Sequence, residues 1–292
     1  MEAAARADRP VLILGEPGVG KELVARRIHL MSPRCAHPFL MIDCSLFYER
    51  ELQREVFGYR GIGRAAKSRR GLLEFARRGT CYLSRIEELA TGLQRDLLEF
   101  VNTGRFRRLG DNREIASNVH LIASTDKNLE GFVEGGLFNE ELYQRLSALP
   151  LRITPLRDRT DDVEALARKL LVDRCREEGL EGEKSFSPEC LEALRCFPWP
   201  GNYDELLAEI CRLVTGNAES IAVDELSFEV AAFWRGMRGD PEVRKVIGEL
   251  DGYIREFKVL SRLDAEFGDI LLDLGDLDLA AQERRDPFGP AH

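Results

Sequence analysis

Val11-Leu12-Ile13-Leu14-Gly15-Glu16-Pro17-Gly18-Val19-Gly20-Lys21-Glu22 is an apolar run, a glycine-rich turn, a lysine and the start of a helical pattern. A short run of purely apolar residues suits a strand covered on both faces. Gly15, Gly18 and Gly20 let backbone N–H groups turn inward and form an anion nest. Lys21 at the end of such a turn reaches the β and γ phosphates of a nucleotide. An ordinary glycine-rich strand-to-helix turn is the plainer reading of glycines alone. The strand before, the helix after (Leu23, Val24, Arg27, Ile28) and the Gly-Lys pair together favour phosphate binding. Glu22 departs from the general pattern, since a Ser or Thr hydroxyl at that position usually binds Mg²⁺.

Working outward, strand-like runs at Val11–Leu14 and residues 39–42, 80–83, 120–124 and 151–153 alternate with helical patterns. That alternation predicts a parallel α/β sheet sandwiched by helices. Residues 93–102 carry Leu93, Leu97, Leu98 and Val101 at helical spacing, with a stop at Gly104. From residue 161 to about 230 strand signals vanish and helices are predicted at 162–176, 188–195 (with Ser187 as N-cap) and 202–214. This organisation divides the chain into an α/β core (1–157), a small α-helical lid (158–230) and a C-terminal segment (231–292). Within the last, residues 240–267 read as a partner-seeking or lid-packing helix and residues 268–292 as an acidic, frayed tail.

Composition narrows the function classes. The 292 residues are 44% hydrophobic and 32% charged, enough for a large core plus a smaller domain. No apolar run is long enough to cross a bilayer, and no signal-peptide pattern opens the chain, so a cytoplasmic protein without membrane contact is expected. The seven cysteines are scattered without a C-x-x-C pair, which reads as buried thiols in a reducing compartment and predicts no metal site. A net charge of −9 opposes nucleic-acid binding by the whole surface.

Further motifs fall in order along the chain: Pro38-Phe39, Asp43-Cys44, Val56-Phe57-Gly58, Gly79-Thr80, Leu121-Ile122-Ala123, Glu141-Leu142-Tyr143, Pro155-Leu156-Arg157-Asp158-Arg159 and Trp199-Pro200-Gly201-Asn202. Together with Gly15 to Ala25, this series resembles the AAA+ ATPase domain of sigma-54-dependent bacterial enhancer-binding proteins, over roughly residues 10–228. That family also carries Glu after the P-loop Lys, which accounts for Glu22. The resemblance implies a P-loop AAA+ sheet with a helical lid, and nucleotide contact through Gly15, Glu16, Pro17, Gly18, Val19, Gly20, Lys21 and Glu22.

The departures bear on activity. In the family the strand after Gly-Thr ends in Asp-Glu, the Asp in the Mg²⁺ shell and the Glu orienting the attacking water. Here Ser84-Arg85 stand instead, so the resemblance supplies ATP but leaves Mg²⁺ without its usual carboxylate. Glu87 and Glu88 lie just beyond and are expected to face solvent at a helix start. The sensor Thr-Asn is Thr125-Asp126, and the Asn that switches the catalytic Glu is Asp43. Of two arginines presented to a neighbouring subunit, the first is Asn139 and the second remains as Arg145. Asp204 replaces the lid's sensor Arg and sets a carboxylate where a cation meets triphosphate.

The Gly-Ala-Phe-Thr-Gly-Ala loop that relatives press against sigma-54 is also absent, so no sigma-54 contact is carried over. Its replacement holds Arg60, Arg64, Lys67, Arg69 and Arg70 without an acid. A solvated loop is the first reading, and a surface for nucleic acid or an acidic partner the second. The upstream segment that helps enclose adenine in the family is not matched, and neither is a helix-turn-helix. Three functions follow: a hydrolysis-impaired AAA+ module acting in transcription regulation through homo- or hetero-oligomers with AAA+ homologues or another protein regulator, an active sigma-54 activator ATPase, and a nucleotide-free scaffold.

Overall fold

The computed structural model describes residues 1–7, 9–61, 68–180, 184–216 and 219–238. At its centre lies a parallel sheet of five strands, β1 (Val11–Leu14), β2 (Phe39–Asp43), β3 (Thr80–Ser84), β4 (His120–Thr125) and β5 (Pro150–Arg152), in the order β2-β3-β4-β1-β5. Every strand expected from the sequence is present with bounds shifted by a residue or so. Apolar runs identify these strands because β1, β3 and β4 are almost wholly buried, whereas the edge strand β2 is half-exposed.

The two faces of the sheet bury alternate residues, as the strand period of two requires. Leu12, Cys81, Leu83, Leu121 and Ala123 pack with the helices Glu49–Phe57, Thr91–Thr103 and Glu140–Leu146. Val11, Ile13, Tyr82 and Ile122 pack with Ala25 and Ile28 of the helix Lys21–Met31, and with Ala4 and Ala5 of the short helix Glu2–Arg6. The helix Thr91–Thr103 stops where expected. Gly104 takes φ +66°, and its N–H donates to the Phe100 carbonyl at 2.8 Å.

The chain forms two compact units. The first comprises Met1–Phe186 and Pro198–Ile221, with the sheet and the helices Thr160–Glu177 and Asn202–Thr215. The second comprises, among the described residues, Ser187–Phe197 and the chain from Ala222, with the helices Pro188–Cys196 and Phe228–Met237. Ser187 caps the former helix as the sequence predicts, its Oγ accepting from Cys190 N–H at 3.1 Å. Phe197 meets Phe233 edge-on with ring centres 5.5 Å apart, and the Arg238 guanidinium lies 4.5 Å from the Trp234 ring centre. The helix expected at residues 240–267 and the tail at 268–292 lie outside the described residues.

Three small strand pairs add to the sequence reading. Gly58–Tyr59 pairs with Arg69–Arg70, and Arg105–Arg107 with Glu114–Ala116, both antiparallel. Ser185–Phe186 pairs in parallel with Ser220–Ile221, inside the region expected to be helical throughout. Strands of two or three residues leave no period of alternation to detect.

Candidate functional site

The parallel register brings four strand ends together, the usual location of ligand sites in open α/β sheets. Leu14, after which the glycine-rich loop begins, pairs with Thr125, and Asp43 pairs with Ser84. The cleft above these ends has a volume of about 640 Å³. Pro17, Gly18, Gly20, Lys21 and Glu22 of the sequence-predicted loop line it, together with Ser84 and Arg85. Tyr82 and Ser124 line it as well, joined by a 2.7 Å hydroxyl–hydroxyl hydrogen bond.

Gly15 and Val19 shape the loop from within, since a Cβ on Gly15 would meet Val19 Cγ2 at 2.9 Å. Lys21 Nζ donates to the Gly15 and Glu16 carbonyls at 2.8 and 2.9 Å, which curls its side chain back over the loop. Burial lowers the Lys21 pKa, against the opposing pull of Asp126, Glu87 and Asp204. Glu22 turns to Arg26 at 2.7 Å, one helical turn on.

The Trp199-Pro200-Gly201-Asn202 turn is built into the same loop. Gly18 has φ +72°, and a Cβ there would stand 2.1 Å from the Gly201 carbonyl oxygen, so only glycine permits the approach. Asp204 N–H donates to the Gly18 carbonyl at 3.2 Å. Asn202, fully buried at φ +54°, donates through Nδ2 to the Pro17 carbonyl at 3.0 Å and to Glu16 Oε2 at 3.2 Å. Its Oδ1 accepts from Leu156 N–H at 2.9 Å. Arg157 completes the junction, with Nη1 at 2.6 Å from Glu16 Oε2 and Nη2 bonded to Oε1. The Arg157 and Asn202 hydrogen bonds hold the Glu16 carboxyl down at about 2. Three motifs far apart in sequence thus form a single hydrogen-bonded joint.

Ser84 ends β3, and Arg85 follows in the left-handed region at φ +53°. Arg85 Nε lies 2.8 and 3.1 Å from the two Asp43 oxygens, and its Nη2 is bonded to Oδ2. Burial raises the Asp43 pKa, but the Arg85 and Ser45 hydrogen bonds outweigh it and the carboxyl titrates below its ordinary range. Two departures noted separately in the sequence are therefore one ion pair.

Glu87 corrects the expectation of a solvent-facing carboxylate. It is only 7% exposed, in the short turn Ile86–Glu88, and one of its oxygens is buried without a hydrogen-bond partner. Burial raises its pKa, Thr125 lowers it by a hydrogen bond, and the neighbouring Asp126 raises it again. The strand-end turn buries Glu87, and a sequence pattern of two adjacent acids does not reveal which one turns inward. Glu88 is exposed, as expected.

Asn139 and Arg145 occupy opposite ends of the helix Glu140–Leu146. Asn139 Oδ1 caps it by accepting from Leu142 N–H at 2.9 Å, while Arg145 is exposed in the last turn. Neither lines the cleft. In the basic loop, Arg60 pairs with Asp111 (3.1 Å), Arg69 with Glu55 (2.7 Å) and Arg70 with Glu74 (3.2 Å). Arg64 and Lys67 lie outside the described residues. Among the described residues no group of His, Cys, Asp and Glu is arranged to hold a metal ion, and no helix is long and apolar enough to cross a membrane.

Comparisons with known proteins agree with this architecture. The model of the sigma-54 interaction domain matches residues 1–152, and that of the AAA+ ATPase lid domain matches residues 157–234. The hydrogenase transcriptional regulatory protein HoxA of Cupriavidus necator is 35% identical over 264 residues, which cover 89% of this chain and 53% of that protein. The Nif-specific regulatory protein of Azotobacter vinelandii is 39% identical over 204 residues, 69% of this chain and 39% of the relative. The chain thus spans about half the length, or less, of these relatives. Among solved structures, NtrX from Brucella abortus in complex with ADP superposes with a TM-score of 0.71 at 29% identity, covering 78% of this chain and 52% of NtrX. The chain belongs to the sigma-54 interaction family of AAA+ domains, that of the sigma-54-dependent transcriptional regulators.

Proposed function

We propose that this chain is a nucleotide-binding AAA+ module of a transcription regulator, impaired in hydrolysis and acting through association with a protein partner. The Asp43–Arg85 ion pair is the observation that carries the reading, because a cation held by a carboxylate stands where a water-orienting carboxylate would be needed. Phosphoryl transfer depends on charge neutralisation and a positioned nucleophile, so losing both carboxylates lowers the rate by orders of magnitude. Gly15 to Glu22 form the phosphate cradle, with Lys21 as its cation. NtrX, crystallised with ADP and also with ATP, supports a nucleotide as the ligand. Arg145, exposed on its helix, remains available to a neighbouring copy or an AAA+ homologue.

Mg²⁺ is implied by the fold family, but the residues here do not fit it. Ser84 offers a neutral hydroxyl, Arg85 a cation, the Glu22 and Asp43 carboxylates are engaged by Arg26 and Arg85, and Asp126 and Asp204 form no metal-holding group with them among the described residues. A second reading, an active ATPase, is favoured by the buried Glu87 beside Asp126 and within the field of Lys21.

A thermal-shift titration with ATP, run beside Lys21→Ala and followed by a steady-state ATPase assay, separates these readings. The proposal expects a shift that grows with ATP, is lost in Lys21→Ala, and comes with turnover no higher than that of the variant. Turnover above the Lys21→Ala level that is abolished by Glu87→Gln would establish the active enzyme. A cleft insensitive to ATP would leave only the scaffold.

A further inference from the structure

We propose that the cleft binds its nucleotide without a divalent cation, the Arg85 guanidinium serving as a phosphate-facing cation in place of the metal. The inference rests on the reading that the Gly15–Lys21 turn binds nucleotide. It deepens that reading by assigning Arg85 a ligand contact.

The argument begins with the strand ends. The register sets Asp43 beside Ser84, so the residue after Ser84 emerges next to a carboxylate at the mouth of the cleft. Arg85 leaves β3 at φ +53°, a conformation that is unfavourable for a non-glycine residue and persists where surrounding structure enforces it. Its side chain is then fixed by two of its nitrogens. Nε and Nη2 engage Asp43, while Nη1 makes no hydrogen bond among the described residues, and Arg85 lines the same cleft as Lys21. A guanidinium has five N–H donors in one plane, so a carboxylate on one edge leaves donors free to face a phosphate on another. Asp43 acts here as a positioning residue.

The charges around the cleft favour the same assignment. Of the four carboxylates lining it, Asp43 is taken by Arg85 and Glu22 by Arg26, while Asp126 follows the end of β4 and Asp204 lies in the first turn of the helix Asn202–Thr215. Glu87 and Asp126 stand within the field of the Lys21 ammonium, and burial together with Asp126 raises the Glu87 pKa. No carboxylate is left at the end of β3 to share a divalent ion with phosphate oxygens. Adding Mg²⁺ beside the Arg85 guanidinium would instead set two cations against each other.

The test is an ATP titration by isothermal calorimetry in excess magnesium chloride and again in excess EDTA, on the full chain and on Arg85→Ala and Arg85→Gln. The proposal expects wild-type dissociation constants that agree within about threefold in the two media, and about tenfold weaker binding for both variants in each medium, the loss of one charge-assisted contact. Comparable circular dichroism of Arg85→Gln and wild type would separate loss of the contact from loss of the fold. Wild-type binding that weakens tenfold or more in EDTA, or variants that bind as the wild type does, would overturn the role of Arg85 while leaving nucleotide binding intact. Absence of binding in both media would overturn the nucleotide reading itself, and this proposal with it.

Discussion

Arg85 Nε sits 2.8 Å from Asp43 Oδ1, at the adjoining ends of β3 and β2, so two residues read in the sequence as separate departures are partners of one another. Either residue without the other would lose the ion pair at the mouth of the cleft. Arg85→Glu should place two carboxylates in contact and destabilise the fold more than Arg85→Gln, with Asp43→Asn recovering the difference. Because both groups are partly exposed, a double-mutant cycle in urea should return a coupling of about 0.5–1 kcal/mol. Zero coupling would refute the pairing. For the same reason Ser84→Asp with Arg85→Glu should not raise turnover, since the new Glu would face Asp43 while Asp204 still lines the cleft.

Asn202 ties the P-loop to the Leu156 backbone through hydrogen bonds on both sides of its amide. Asn202→Ala leaves buried polar groups unpaired and should cost about 2–3 kcal/mol of unfolding free energy. Asn202→Gly loses the same bonds but relieves the positive φ, so it should be less damaging than Ala by about 0.5–1 kcal/mol. Urea denaturation of the two variants side by side checks the order.

The Glu16 carboxyl, held at about 2 by Arg157 and Asn202, makes the junction acid-sensitive. A depressed carboxylate contributes stability that is present above its unfolded pKa and is lost as pH falls through the folded value. The stability gap between wild type and Glu16→Gln should therefore be full at pH 6 and narrow from about pH 4.5 down to about 2. Urea midpoints measured across that range should converge. A gap that persists unchanged at the acid end would mean that Glu16 acts through packing alone.

Glu87 behaves with the opposite sign. Its carboxyl is raised by burial and by Asp126, so its stability contribution is fully present below the unfolded pKa and is lost as pH rises through the folded one. Glu87→Gln, which keeps the shape and cannot ionise, should raise the melting temperature at pH 8 and leave it nearly unchanged at pH 4. A variant destabilised at pH 8 would show that the ionised carboxylate is the form the fold requires.

Asp204 contributes its backbone N–H to Gly18 while its side chain lines the cleft. Replacing it leaves the backbone bond in place and changes the charge that a polyphosphate meets. Asp204→Arg should therefore tighten ATP binding by about tenfold, turning a repulsion into a charge-assisted contact. Unchanged affinity in calorimetry would place the phosphates away from Asp204.

Much of this molecule was legible in the sequence, because its central strands are buried on both faces and so are written as apolar runs. The glycine-rich turn, the helix start at Ser187, the helix stop at Gly104, and the ordered motifs of the family identified the α/β sheet and its cleft. They were readable because each depends on neighbours a few residues away. The short strand pairs were not, since two or three residues carry no period.

The state of the cleft was decided by tertiary structure alone. Asp43 and Arg85 are forty-two residues apart and become partners only through the register of β2 with β3. Glu16, Arg157 and Asn202 meet only when the chain folds back across the sheet. Glu87 and Glu88 are indistinguishable as neighbouring acids, and only the turn after β3 buries one of them. Local sequence sets which residues form strands and turns. The signs of the charges that finally face one another depend on contacts between segments whose spacing along the chain carries no trace of them.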